Sequence, residues 1–344
     1  MTDSTSAHAE IVVIKLGALG DIVRTSYLMA AYAKARDAKL TWITRRNGVD
    51  LLRFNPHVHR ILTLEDDPMP TRADTLLSLD DEIEAVSIAK GIDAQRRIGA
   101  FITEDGAIRY TDSASPWFDM GLISRFGKER ADELKKLNAR SHVEIFSEVL
   151  SLDDVHPFFH GDPAEEARWR ARRGGAAKVI GFNLFAGHRW PAKELPGPES
   201  VAVLQAMDRC MADQGAPYKL VAFSDESNLA RFDDLKARAP FVELWDTGRS
   251  TLAFAAAVAA CDYVVSTDSL GLHLAIAQQV PNLSFYAPTS AVEIDTFGHG
   301  VKVVSTSPDY CTYRRDADNR TLTAERILGT WQAHAREIGL IRHD

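Results

Sequence analysis

Three cysteines in 344 residues, Cys210, Cys261 and Cys311, are too few and too scattered to frame a fold. They are odd in number and form no Cys-x-x-Cys pair, which argues against a disulfide scaffold and a cysteine-built zinc site and fits a reducing cytoplasmic setting. No apolar run spans a bilayer: the longest near the end, LAFAAAVAAC at 252–261, falls well short of the about 20 residues required. The N-terminal residues carry Asp3 and Glu10 without a long apolar stretch, so no signal peptide is expected. Excess positive charge is missing as well. A formal net charge of -8 argues against a nucleic-acid partner, which needs a cationic face. Without a polybasic anchor or an amphipathic membrane helix, membrane contact is expected to be transient at most. There is no Walker A loop and no Gly-x-Gly-x-x-Gly turn, so an ATPase or a dehydrogenase gains little support. Asp316-Ala317-Asp318 has no strand before it, so no metal site is read there, and nothing calls for a cofactor.

What remains is a chain with 45% hydrophobic and 26% charged residues, ordinary for a folded protein and long enough for two cores. IVVIKL at 11–16 is a near-continuous apolar run, as expected of a strand buried on both faces. A Gly-containing loop and an apolar-periodic helix from Ile22 to Ala35 follow. Further strands are predicted at 40–45, 58–64 and 75–80, then a helix over EIEAVSIAK, and mostly helix over 111–150 with a Ser141–Glu144 capping box. A second alternation begins at KVIGFNL (178–184), with strands at 219–224, 241–246, 262–267 and 282–288 and helices at 199–213 and 251–260. The expected fold class is α/β, with two Rossmann-like domains facing each other across a cleft. The expected division is a first domain at 1–160, a linker at 161–176, a second domain at 177–322, and an amphipathic helix at 323–344 placed to pack back on the first domain.

Three segments could carry chemistry. In KLGALGDIVRT (15–25), Gly17 and Gly20 flank a strand-to-helix turn, where glycine permits positive φ and close approach of a ligand. Asp21 then reads either as an N-cap or as a general base kept ionised by the helix dipole. In STDSLGLHLAIAQQVPNLSFYAPT (266–289), a strand ends at Thr267 and a helix opens at Asp268 and Ser269. Thr267, Ser269 and the backbone of Leu270, Gly271 and Leu272 could cradle a diphosphate at that helix start. Asp268 reads as a sugar-hydroxyl contact or a plain cap, and His273 as a catalyst or a packed histidine. In NLFAGHRWPAKELP (183–196), His188 and Arg189 could set a cation against a leaving diphosphate. The plainer alternative is a solvated loop with Trp190 covering apolar surface.

Together these segments resemble the heptosyltransferases, glycosyltransferase family nine, of the GT-B fold. KLGALGDIVRT is similar to the family's strand, Gly-Asp loop and helix. HRWPAKEL partly matches its Lys-x-Trp-Pro segment. DSLGLHLAIAQQVP with YAPT resembles its Asp-[Ser/Thr]-Gly-x-x-His-x-Ala segment, and NPHVHRIL (55–62) its Asn-Pro-x-Val-Asp turn. The resemblance implies metal-independent, inverting transfer from an ADP-heptose-type nucleotide-sugar donor to a glycan or glycoconjugate acceptor. It implies Asp21 as base, Asp268 at the donor sugar, Ser269 by the phosphates, and Asp225 or Glu226 at the ribose. Three positions depart from the pattern: His188 stands at the family's lysine, Leu270 at its glycine with Gly271 following, and Arg24 where a histidine is common. Arg24, Arg45, Arg46, Arg96 and Arg97, read near loops, are candidates to line an acidic acceptor's path or plain surface arginines. Two other functions compete: a nucleotide-sugar binder that has lost catalysis, suggested by His188, and an epimerase of the same fold.

Overall fold

The computed structural model describes residues 8–186, 190–225 and 228–343, and the chain divides into two units, one up to His156 and one from Pro157. The first apolar run becomes β1 (Ala9–Ile14), the central strand of the first unit's sheet. Beside it lie β2 (Ala38–Thr44), β3 (Val58–Thr63), β4 (Arg72–Ser78), β5 (Asp93–Ile102) and β6 (Ile108–Tyr110), in the order β3-β2-β1-β4-β5-β6. Only β6 runs antiparallel to its neighbour among the described strands. The helices are α1 (Leu19–Lys34), α2 (Ile83–Lys90), α3 (Ser115–Phe118), α4 (Lys128–Leu137) and α5 (His142–Leu150). α5 opens with the expected capping box: Ser141 Oγ accepts from the Glu144 amide, and the Glu144 carboxylate accepts from the Ser141 amide.

β5 was not expected from the sequence, because its first half, Asp93–Arg97, is polar. Arg96 and Arg97 lie on this strand and not in loops. Arg97 donates to the carbonyls of Ala89 and Ile92 (both 2.7 Å), which fixes the end of α2. Gly99 in the same strand has φ +105, and a Cβ there would lie 1.9 Å from the Ser78 carbonyl oxygen, so only glycine allows β4 and β5 to pair here.

The second unit's sheet is wholly parallel among the described strands. It comprises β7 (Lys178–Asn183), β8 (Tyr218–Ser224), β9 (Glu243–Asp246), β10 (Tyr263–Thr267), β11 (Asn282–Tyr286) and β12 (Gly300–Val304), in the order β12-β11-β10-β7-β8-β9. β10 and β11 are buried at every position, as the apolar runs require. The helices are α6 (Pro163–Arg172), α7 (Gly197–Ala212), α8 (Arg231–Arg238), α9 (Thr251–Ala259), α10 (Leu270–Ala277) and α11 (Ala324–Glu337). The stretch 161–176, expected as a linker, carries α6. Its Trp169 is fully buried with the ring 5.3 Å from that of Trp245, so α6 is a packed helix of this unit. α11, expected to return to the first domain, puts Ile327, Trp331 and Ala335 into the second unit's core. No helix among the described residues is long and apolar enough to cross a membrane.

The buried polar contact of α11 has a pH consequence. Burial raises the Tyr263 pKa, so its hydroxyl stays protonated, and it is hydrogen-bonded to His334 Nδ1 (2.8 Å). Burial also lowers the His334 pKa, against a smaller opposing pull from Glu337. A histidine with a depressed folded pKa contributes stability that is complete above its unfolded value of about 6.5. That stability is lost as the pH falls toward the folded value. Melting temperature is therefore expected to drop between pH 7 and pH 5, and His334→Gln is expected to flatten the drop. An unchanged slope in the variant counts against this assignment.

Candidate active site

In both units the strand order reverses beside the first strand, between β1 and β4 and between β7 and β10. Ligands of open parallel sheets bind outside the carboxyl ends of the strands at such points. The polar residues singled out from the sequence gather at those ends.

At the first reversal, Lys15 and Leu16 leave β1 while Asp80 follows β4. The Asp80 carboxylate accepts from the Lys15 ammonium and from the Leu16 amide. Burial raises the Asp80 pKa above its ordinary value even though Lys15 and the Leu16 amide pull it down; the charge of Asp21 adds to the rise. The chain then turns through Gly17, where an added Cβ would meet nothing within 4 Å, into α1. Gly17 does not adopt positive φ, and Gly20 is the second residue of α1, so the positive-φ reading holds for neither glycine. The N-cap of α1 is Ala18, which places Asp21 in the first helical turn and overturns the N-cap reading. Its Oδ1 lies 2.8 Å from Arg24 Nη2; Asp21 keeps 32% of its side chain exposed and Arg24 12%. Arg24 also lies over the Trp117 ring, 5.4 Å from its centroid. Arg45 is paired with Glu82 and, at 3.7 Å, Glu84. Arg46 is exposed, 4.0 Å from Glu65.

At the second reversal, Asn183 at the end of β7 donates to Ser266 Oγ (2.9 Å) and Ser269 Oγ (2.7 Å). Thr267 Oγ1 also donates to Ser269 Oγ (3.0 Å). Ser269 is the N-cap of α10, so Asp268 caps nothing. The Asp268 carboxylate turns instead to Lys193, whose Nζ donates to its Oδ2 (2.9 Å) and to its backbone oxygen (2.7 Å). Thr289 Oγ1 donates to the same Oδ2 (2.7 Å), and His273 Nε2 stands 3.8 Å from Oδ1. Burial pushes the Asp268 pKa up, but Lys193, His273 and Thr289 together hold it well below the carboxylate range. Asp268 is therefore an ionised, compensated buried charge.

The remaining candidates divide by geometry. Gly271 faces Asn183 so closely that a Cβ would lie 2.6 Å from Nδ2 and 2.9 Å from Cγ. Leu272 is fully buried, and its amide donates to Ser269 O (3.1 Å), which leaves Leu270 and Gly271 as the first-turn amides without a helical acceptor. Asp225 lies half-buried after β8, its amide donating to Asn228 Oδ1 (3.0 Å). His188, Arg189 and Glu226 lie outside the described residues. Trp190 stands edge-on to Tyr313, with ring centroids 6.3 Å apart. Burial raises the Tyr313 pKa well above its usual value, and its hydroxyl donates to Glu293 Oε1 (3.2 Å). No group of three or more His, Cys, Asp or Glu suited to a metal occurs among the described residues. Sequence reasoning missed Lys193, Thr289 and Asn183, although each lies inside or beside a quoted segment.

Solved structures match the fold over nearly the whole chain. The glycosyl transferase family 9 structure from Veillonella parvula DSM 2008 is 16% identical, covers 96% of this chain and 98% of its own, and has a TM-score of 0.72. E. coli ADP-heptose lps heptosyltransferase II is 16% identical, covering 96% and 99%, with a TM-score of 0.64. E. coli heptosyltransferase WaaC with ADP-2-deoxy-2-fluoro heptose is 14% identical, covering 95% and 100%, with a TM-score of 0.61. The fold is thus that of the GT-B glycosyltransferases. Residues 125–324 match the sequence profile of Glycosyltransferase family 9 (heptosyltransferase), and the chain belongs to that family. No curated protein matches the sequence.

The Asn183 contact is open to test. Gly271→Ala must displace the Asn183 side chain, and with it the hydrogen bonds to Ser266 and Ser269. The expected loss is about 1–3 kcal/mol of stability, the usual range for an overpacked site. A denaturant midpoint equal to that of the unsubstituted protein would contradict the contact.

Proposed function

We propose that this glycosyltransferase moves a heptose from an ADP-heptose-type donor, with inversion, onto a hydroxyl of a glycan, lipopolysaccharide or other glycoconjugate in the cytoplasm. The observation that carries the reading is the buried, ionised Asp268 at the head of α10, held by Lys193 and Thr289 in a chain of this family. Two structural relatives, E. coli ADP-heptose lps heptosyltransferase II and heptosyltransferase WaaC with ADP-2-deoxy-2-fluoro heptose, support the choice of donor. The second unit holds the nucleotide sugar. Asp268 accepts from a sugar hydroxyl through Oδ1, because Oδ2 already accepts from Lys193 and Thr289. Ser269 and the amides of Leu270 and Gly271 receive the phosphates, and Asp225 or Glu226 the ribose.

The first unit takes the acceptor, with Arg45 and Arg46 on its acceptor side. Asp21 removes the proton from the acceptor hydroxyl. The freed oxygen bonds to the anomeric carbon as the bond to the diphosphate breaks, and the nucleoside diphosphate leaves with the bonding pair. Asp21 later returns its proton to water. Arg24, in ion-pair contact with Asp21, fixes the carboxylate's direction.

Asp21→Asn is expected to lower kcat at least about a hundredfold, within the range for a lost general base, with donor affinity little changed. Stability should fall by no more than about 1 kcal/mol, since one first-turn charge and a partly exposed ion pair are lost. Turnover, followed as nucleoside diphosphate release with acceptor present, should be the same in EDTA. Normal turnover by folded Asp21→Asn removes Asp21 from the mechanism, and loss of turnover in EDTA restored by magnesium overturns the metal-free reading.

A further inference from the structure

The family's Lys-x-Trp-Pro segment places a lysine before Trp-Pro, and this chain has His188 at that position with Arg189 beside it. It carries a lysine on the other side of the turn, at the end of Pro191-Ala192-Lys193. An ammonium has three N–H bonds to give. Lys193 gives one to Asp268 Oδ2 and one to the Asp268 carbonyl oxygen, and 16% of its side chain stays exposed. That carbonyl belongs to the peptide leading into Ser269, the N-cap of α10. The ammonium therefore stands at the start of a helix whose first-turn amides and dipole are also positive. Asp268, 9% exposed at its side chain, offsets the charge of the ammonium. The remaining N–H of the ammonium and the first-turn amides of Leu270 and Gly271 are donors suited to an anion.

We infer that Lys193 binds the donor diphosphate in this chain, supplying a cation from the C-terminal side of Trp190-Pro191. The inference rests on the nucleotide-sugar reading above. In this role Lys193 links the two halves of the donor: it orients Asp268 toward the sugar and meets the phosphates with its remaining N–H. Leaving-group charge that develops on the diphosphate then falls beside a fixed cation, where electrostatic stabilisation counts most. The competing role is purely structural, with Lys193 serving only to neutralise Asp268.

Calorimetric titration with ADP, and with adenosine as a control lacking phosphate, separates the two roles. Four proteins are compared: the unsubstituted chain, Lys193→Met, Asp268→Asn, and the double variant. The double variant replaces the buried ion pair by two neutral groups of similar size, so it serves where Lys193→Met alone fails to fold. A diphosphate contact predicts at least about tenfold weaker ADP binding by the double variant than by Asp268→Asn, as for a lost charge-assisted hydrogen bond. Adenosine should not distinguish those two. Equal ADP affinity in Asp268→Asn and the double variant overturns the inference and leaves the nucleotide-sugar reading intact. If the unsubstituted chain binds GDP or UDP in place of ADP, the ADP-donor reading falls, and the same comparison with that diphosphate decides the role of Lys193. If it binds no nucleoside diphosphate, both fall.

Discussion

A carboxylate taken out of water is costly unless positive charge and hydrogen bonds replace the lost solvation. Asp268 meets that demand with groups from three places in the chain: Lys193 after β7, Thr289 after β11, and His273 on α10. Satisfying one buried charge therefore fixes the relative positions of the loops at the carboxyl end of the second sheet. Removing Lys193 alone would leave the carboxylate uncompensated, a change of the kind that costs about 3–5 kcal/mol. Asn183 adds a neutral network beside it, joining β7 to β10 and to the start of α10 through two serine hydroxyls. Gly271 is the residue that lets the helix come close enough for this.

The first unit applies the same device at its own strand reversal. Asp80 accepts from Lys15 and from the Leu16 amide, and so clamps the last residues of β1 just before the chain turns toward Asp21. Trp42 supports the clamp by donating its indole N–H to the Lys15 carbonyl (3.2 Å). The two pairs differ in what surrounds them. Burial outweighs the partners at Asp80, whose pKa is raised, whereas the partners outweigh burial at Asp268, whose pKa is lowered. Asp268 therefore stays charged, with both oxygens kept as acceptors.

Much of the fold is legible because strands buried on both faces write continuous apolar runs, as at IVVIKL and DYVVST. β5 escapes that rule, since its polar half pairs at a position the apolar pattern does not mark, and β12 is short with a lysine at its centre. Trp169 inside a charged, Arg-rich stretch is the signal that α6 packs and does not link. In each unit the strand-end placement, of Asp21 in the first and of Asp268 and Ser269 in the second, is readable from strand-end and helix-start chemistry, but the partners of these residues are not. Whether Asp21 caps a helix depends on where the helix begins, and it begins at Leu19, before the apolar periodicity shows. Lys193 lies 75 residues from Asp268, and sequence spacing carries no sign that the two meet. Only the turn at Pro191–Lys193 brings them together.

The central claim is that the nucleotide sits on the Asp268–Lys193 node of the second unit. Amide hydrogen exchange of the full chain with and without saturating ADP tests it most directly. Protection is expected at residues 268–273 and 191–194, with the loop at 15–21 unaffected by nucleotide alone. Protection confined to the first unit would contradict the account.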